Sequence, residues 1–103
     1  MGARAFFDGL EARATTARLD GIDHSYRFEI EGEGNWNLRI HDGTVAVTEG
    51  AAAPSTDATI RTSAEVFDRI VAGKQNPATA YMTGKVKVKG DLGAVMKLQR
   101  LFG

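Results

Sequence analysis

Between residues 26 and 47, apolar and polar side chains alternate along the chain. Tyr26, Phe28 and Ile30 are interleaved with Arg27, Glu29 and Glu31. Trp36, Leu38 and Ile40 are interleaved with Asn37, Arg39 and His41, and Val45 and Val47 continue the pattern. A period of two is the signature of strands with one buried face. Reading Gly32-Glu33-Gly34 as a three-residue loop sets Ile30 opposite Trp36, Phe28 opposite Leu38 and Tyr26 opposite Ile40. Reading Asp42-Gly43 as a two-residue type I′ turn sets Ile40 opposite Val45 and Leu38 opposite Val47. Both turns place every apolar residue on one face, and a one-residue slip in either would destroy that agreement. The prediction is an antiparallel three-strand meander.

On both sides of the meander the period changes to that of a helix. Phe6, Phe7, Leu10 and Ala14 recur at helical spacing against Arg4, Asp8, Glu11 and Arg18, which predicts an amphipathic helix over residues 3–18. After the loop at residues 50–55, Ala58-Thr59-Ile60-Arg61 reads as a fourth strand. Thr62-Ser63-Ala64-Glu65 then reads as a capping box with Thr62 as the cap. The helix it opens carries Val66, Phe67, Ile70 and Val71 on one face and stops at Gly73. Asn76-Pro77 opens a short helix containing Ala80, Tyr81 and Met82, with proline at the first helical position, and Gly84 ends it. Lys85-Val86-Lys87-Val88-Lys89 is a fifth strand, valines one way and lysines the other. Gly90-Asp91 caps a last helix with Leu92, Val95, Met96, Leu98, Leu101 and Phe102.

The sum is an α/β (α+β) fold in two layers: a five-stranded mixed, mostly antiparallel sheet with one polar face and helices over the other. At 103 residues it is expected to form a single domain, residues 1–103. A composition of 43% hydrophobic and 25% charged residues is that of an ordinary globular chain.

Charge and chemistry narrow the function classes. A net charge of zero argues against a dedicated nucleic-acid binder. All five lysines, Lys74, Lys85, Lys87, Lys89 and Lys97, nevertheless fall in one late stretch, which favours an anionic surface. The absence of cysteine excludes disulfides, thiol catalysis and cysteine-ligated metals. His24 and His41 lie in strand regions and read as surface or turn residues. No His-x-x-x-His or carboxylate–histidine spacing marks a metal site, and Ser25, Ser55 and Ser63 lack a nucleophile-elbow context. Gly32-x-Gly34 sits in a hairpin, not at a strand-to-helix turn, so it is no dinucleotide fingerprint. No catalytic residue, metal or cofactor is expected. No run of 18 apolar residues is present, and a cytoplasmic location follows by elimination.

An ordered set of blocks then points to a family. Trp36-x-Leu38-x-Ile40 leads into Asp42-Gly43, followed by Thr62-Ser63-Ala64-Glu65-Val66-Phe67. After these come Gly73-Lys74-Gln75-Asn76-Pro77, Ala80-Tyr81-Met82, Gly84-Lys85-Val86-Lys87-Val88-Lys89-Gly90-Asp91, and the helix with Lys97-Leu98 and Leu101-Phe102. Over residues 24–102 the chain resembles the sterol carrier protein type-two (SCP2-like) lipid-binding domains. The resemblance implies a five-stranded sheet under helices with an apolar tunnel between the layers. It also implies a lipid-like apolar ligand (fatty acid, fatty acyl-CoA or sterol-like), carried without chemistry.

The residues expected to contact such a ligand are Phe28, Trp36, Leu38, Val66, Phe67, Ile70, Tyr81, Met82, Val86, Val88, Val95, Met96, Leu98 and Phe102. Burying a chain of ~14 methylenes at ~0.8 kcal/mol each gives on the order of 11 kcal/mol before the entropic cost of binding. Two readings of single features stay open at this point. Trp36 either lines the tunnel mouth or anchors the meander. The Lys85/Lys87/Lys89 ladder either solvates a strand face or makes transient contact with an anionic membrane surface. The alternative to a carrier is an accessory module, whose apolar groove or sheet edge receives a protein partner or a second copy.

Overall fold

The computed structural model describes residues 3–10, 21–50 and 56–98. Its elements are α1 (Ala3–Asp8), β1 (His24–Glu31), β2 (Gly34–His41), β3 (Thr44–Glu49), β4 (Ala58–Ser63), α2 (Ala64–Val71), α3 (Pro77–Met82), β5 (Val86–Gly90) and α4 (Leu92–Lys97). The strands form one sheet in the order β3-β2-β1-β4-β5. β1 and β4 run parallel and every other neighbouring pair runs antiparallel.

The second hairpin has the predicted register: Ile40 faces Val45 and Leu38 faces Val47. Asp42 and Gly43 both take positive φ, 52° and 74°, as a type I′ turn requires. The first hairpin differs from expectation by two residues. Ile30 faces Gly34, Phe28 faces Trp36 and Tyr26 faces Leu38. The chain turns one residue earlier because Gly32, at φ 89°, supplies the left-handed conformation, and the Glu33 N–H donates to the Ile30 carbonyl at 3.0 Å. A shift of two leaves every side chain on its original face, so the hydrophobic pattern does not sense it.

One face of the sheet carries Tyr26, Phe28, Ile30, Trp36, Leu38, Ile40, Ala58 and Ile60, all buried. The helices lie on it. Phe6, Phe7 and Leu10 from the N-terminal segment are buried there too, and the predicted continuation of α1 past residue 10 falls outside the described residues. The other face presents Arg27, Glu29, Arg39, Arg61, Lys87 and Lys89, with ion pairs from Arg27 to Glu29 (3.1 Å) and from Arg61 to Glu31 (3.3 Å).

Capping fixes where the helices begin. Ser63, not Thr62, is the cap of α2: its hydroxyl accepts from the Val66 N–H at 3.2 Å. Thr62 remains in β4, paired with Val86 and buried, and its hydroxyl donates to the Lys85 carbonyl at 2.9 Å. The strand's pairing with β5 therefore wins over the local capping signal. The Asn76 side chain accepts from the Ala78 and Thr79 N–H groups at 2.8 and 3.1 Å, and Asp91 accepts from the Ala94 N–H at 3.1 Å.

Candidate functional site

Between the helices and the β1/β4/β5 part of the sheet lies a cavity of about 270 Å³. Its floor is Phe28 of β1, Ile60 and Thr62 of β4, and Val86 and Val88 of β5. Phe67 and Ile70 of α2 form one wall. Pro77, Ala78, Tyr81 and Met82 of α3 form a second, and Leu92, Val95 and Met96 of α4, with Leu98, form a third. The lining is hydrocarbon except for the hydroxyls of Thr62 and Tyr81, and the Thr62 proton is already committed to the Lys85 carbonyl.

In the opposite half of the covered face, α1 packs aromatic rings against the sheet. Phe7 stacks on Trp36 with centroids 4.8 Å apart and planes inclined by 17°, and it also lies 5.5 Å from Phe67 and 5.2 Å from Phe28. Phe6 meets Phe67 edge-on at 5.4 Å. Arg4 closes this half from outside: its two terminal nitrogens reach the two Glu49 carboxylate oxygens at 2.6 Å each, with the guanidinium 5.9 Å from the Trp36 ring centroid. That bidentate hydrogen bond holds the Glu49 carboxyl below its usual range.

Of the fourteen residues singled out from the sequence, Phe28, Phe67, Ile70, Tyr81, Met82, Val86, Val88, Val95, Met96 and Leu98 line the cavity. Trp36, Leu38 and Val66 do not. Trp36 and Leu38 are buried under the α1 half, where Phe7 occupies the space next to them, and Val66 is part of the core. Phe102 lies outside the described residues. Sequence reasoning omitted Ile60, Thr62, Pro77, Ala78 and Leu92. The alternation of β4 already put Ile60 and Thr62 on the covered face, and Leu92 belonged to the apolar set of the last helix. For Pro77 and Ala78 the sequence carries only a helix-start signal.

The cavity opens through an apolar rim. Tyr81 (42% exposed), Met82 (83%), Leu92 (42%) and Met96 (62%) are the exposed large hydrophobic residues among those described, and all four line this one cavity. Lys87 and Lys89 project from the other face of the sheet, because Val86 and Val88 take the cavity side of β5. The histidines sit apart from the cavity lining. His24 Nδ1 is 3.4 Å from Asp57 and its Nε2 3.5 Å from the Lys97 ammonium, while His41 lies between Asp23 (3.4 Å) and Asp42 (3.0 Å). Among the described residues no three His, Cys, Asp or Glu side chains gather as metal ligands, and no helix is long and apolar enough to cross a membrane.

A sheet roofed by short helices, with an apolar cavity between the layers and no charged group in its lining, defines a two-layer α+β domain of the kind that encloses small apolar molecules. The model of the SCP-2 sterol transfer family matches residues 6–103, and the chain belongs to that family. It is 30% identical over 99 residues to hydroxysteroid dehydrogenase-like protein 2 of Xenopus tropicalis, an alignment covering 94% of this chain and 24% of the relative. Among solved structures, the solution structure of sterol carrier protein domain 2 of Helicoverpa armigera superposes with a TM-score of 0.77 at 27% identity, covering 94% of this chain and 82% of that one. A stereoselective inverting sec-alkylsulfatase from a Pseudomonas species contains a similar segment: TM-score 0.76, 29% identity, 95% of this chain but 15% of the enzyme. The chain spans about a quarter of the length of the Xenopus relative.

Proposed function

We propose that this chain carries one lipid-like apolar molecule in the cavity and does no chemistry on it. The observation that supports this reading is the lining: fifteen residues from six elements and the position after α4 converge on one space with no charged side chain among them. Pocket size favours a class of ligand. A void of about 150 Å³ accommodates benzene, so by the same ratio about 270 Å³ encloses roughly eleven carbon atoms. A fused-ring sterol skeleton exceeds that volume, whereas part of a single alkyl chain fits it. With the Thr62 hydroxyl proton committed to the Lys85 carbonyl and the other lining hydroxyl, Tyr81, at the half-exposed rim, the interior offers a polar headgroup little compensation and it stays at the mouth, where water satisfies it. The preferred ligand is therefore a single-chain lipid such as a fatty acid or fatty acyl thioester, inserted tail first.

The segments of longer enzymes that this chain resembles favour a second use of the same property. Attached to a catalytic partner, a carrier domain holds substrate close to the active site and raises its effective concentration. Both uses need the cavity to fill. Native mass spectrometry of the purified chain, incubated with fatty acids of increasing length and separately with a sterol, tests this. Stoichiometric uptake of fatty acid with weak or no sterol uptake is expected. Failure to retain any of these ligands overturns the carrier reading.

A further inference from the structure

We propose that Met82 and Met96 form a reversible oxidation site at the cavity mouth. A hydroperoxide converts both thioethers to sulfoxides, and the rim, now polar, loosens its hold on the lipid. The consequence, though not the chemistry, rests on the carrier reading.

Two properties that usually exclude each other meet in these side chains. They are the two most exposed large hydrophobic residues among those described, and both still line the cavity. Met82 ends α3 and Met96 lies in α4, so each belongs to a different wall. Exposure sets how fast a thioether is oxidised. The chain has no cysteine, so no thiol competes for the oxidant. The step is an oxygen-atom transfer. A sulfur lone pair attacks the terminal oxygen of the hydroperoxide, the S–O bond forms as the O–O bond breaks, and sulfur loses two electrons. The transferred oxygen's proton passes to the leaving oxygen, which departs as an alcohol, or as water when the oxidant is hydrogen peroxide.

The lining gives that change its effect. Its fifteen residues include no charged side chain, so apolar contact alone holds the tail. A sulfoxide oxygen turned inward would meet no free donor in the interior, because the Thr62 proton is committed to the Lys85 carbonyl. It must therefore face water, and it draws the side chain's methyl and methylene groups out with it. A tail longer than the roughly eleven carbons that fit inside has to pass this rim, where it loses those contacts. Reduction of the sulfoxides restores the flexible apolar side chains and closes the cycle.

Hydrogen peroxide treatment followed by peptide mass spectrometry reads the modification, and native mass spectrometry with hexadecanoic acid reads loading. One added oxygen is expected at each of Met82 and Met96 while circular dichroism still shows a folded chain. Retention of hexadecanoic acid should fall about fourfold for each sulfoxide and about fifteenfold for both, the loss of about one buried methylene apiece. Treatment with the two epimer-specific methionine sulfoxide reductases should restore it. Met82→Gln/Met96→Gln, which places a polar group of similar length at the rim, should reproduce the loss without peroxide. Met82→Leu/Met96→Leu sets its own baseline, and peroxide should then change its retention by less than about twofold. Failure of the folded chain to take up oxygen at both positions overturns the site. Equal peroxide sensitivity in Met82→Leu/Met96→Leu places the effect at another residue and overturns it too, as does a loss of retention that coincides with unfolding. A fully sulfoxidised chain that retains hexadecanoic acid as before refutes the switch and leaves the carrier reading standing. An untreated chain that retains none refutes the carrier reading and the switch with it.

Discussion

The Tyr26 hydroxyl donates a 2.6 Å hydrogen bond to the carbonyl oxygen of Ala94, 68 positions along the chain. Tyr26 is fully buried in β1 and Ala94 lies in the middle of α4, so this bond fastens one wall of the cavity to the sheet. Burial pushes the phenol up to about 12, and the Asp57 and Asp91 carboxylates add to the shift. Below pH 10 the phenol is neutral in both folded and unfolded chains, and its contribution to stability is complete. Between about pH 10 and 12 the unfolded chain releases the proton that the folded chain keeps, so that contribution drains away as pH rises. Denaturant titrations of wild type and Tyr26→Phe across this range are expected to show a stability difference that is constant below pH 10 and shrinks above it. Parallel curves throughout would refute the assignment.

Gly90 marks the junction of β5 with α4. It stands at φ 102°, and a Cβ built there would lie 2.3 Å from the Asp57 carbonyl oxygen. The clash is with backbone that is itself tied down, since Asp57 O accepts from the Asp91 N–H at 2.8 Å. Gly90→Ala should cost about 3 kcal/mol or more, strain and clash together. Gly43→Ala is the comparison: its φ is 74° with nothing within 4 Å, so only the left-handed conformation is penalised, about 1 kcal/mol. Thermal melts of the two variants would decide, and equal losses would count against the steric account.

Phe7 packs under α1 against Trp36, Phe28 and Phe67. Phe7→Ala should destabilise by about 3–5 kcal/mol. It should also shift the emission of Trp36, the chain's one tryptophan, to longer wavelength, because the ring stacked on it at 4.8 Å is gone. Unchanged emission from a folded variant would mean that Trp36 is shielded by something else.

Val88 offers a way to shrink the cavity without touching the rim. It is half-buried on the cavity side of β5. Val88→Phe adds four carbon atoms into open space and should shorten the best-retained fatty acid by about four carbons. Stability should change by less than about 1.5 kcal/mol, as the void absorbs the volume. Retention of the same chain lengths would place the ligand elsewhere.

Much of this was legible in the residues. The alternation of Tyr26 to Val47 named the covered face, Asp42-Gly43 fixed its hairpin to the residue, and Asn76-Pro77 and Asp91 marked helix starts that the structure keeps. Ten of the fourteen residues proposed for the ligand line the cavity. The other readings failed where a signal was blind or outcompeted. The first hairpin slid by two because a two-residue shift preserves facing, and Thr62 gave up its capping position to pair with β5.

What the sequence determines alone is therefore local and periodic: which residues face inward, where each turn bends, where the helices start. These follow from backbone sterics and from hydrogen bonds spanning a few residues. The tertiary structure alone decides how the inward face is shared out. Phe7 reaches across from α1 to stack on Trp36, so that half becomes solid core, while α3 and α4 span the β4/β5 half without filling it. Side chains in both halves are equally apolar, and no pattern of hydrophobic positions distinguishes a residue that meets another ring from one that meets empty space. That difference depends on volumes brought together from distant parts of the chain.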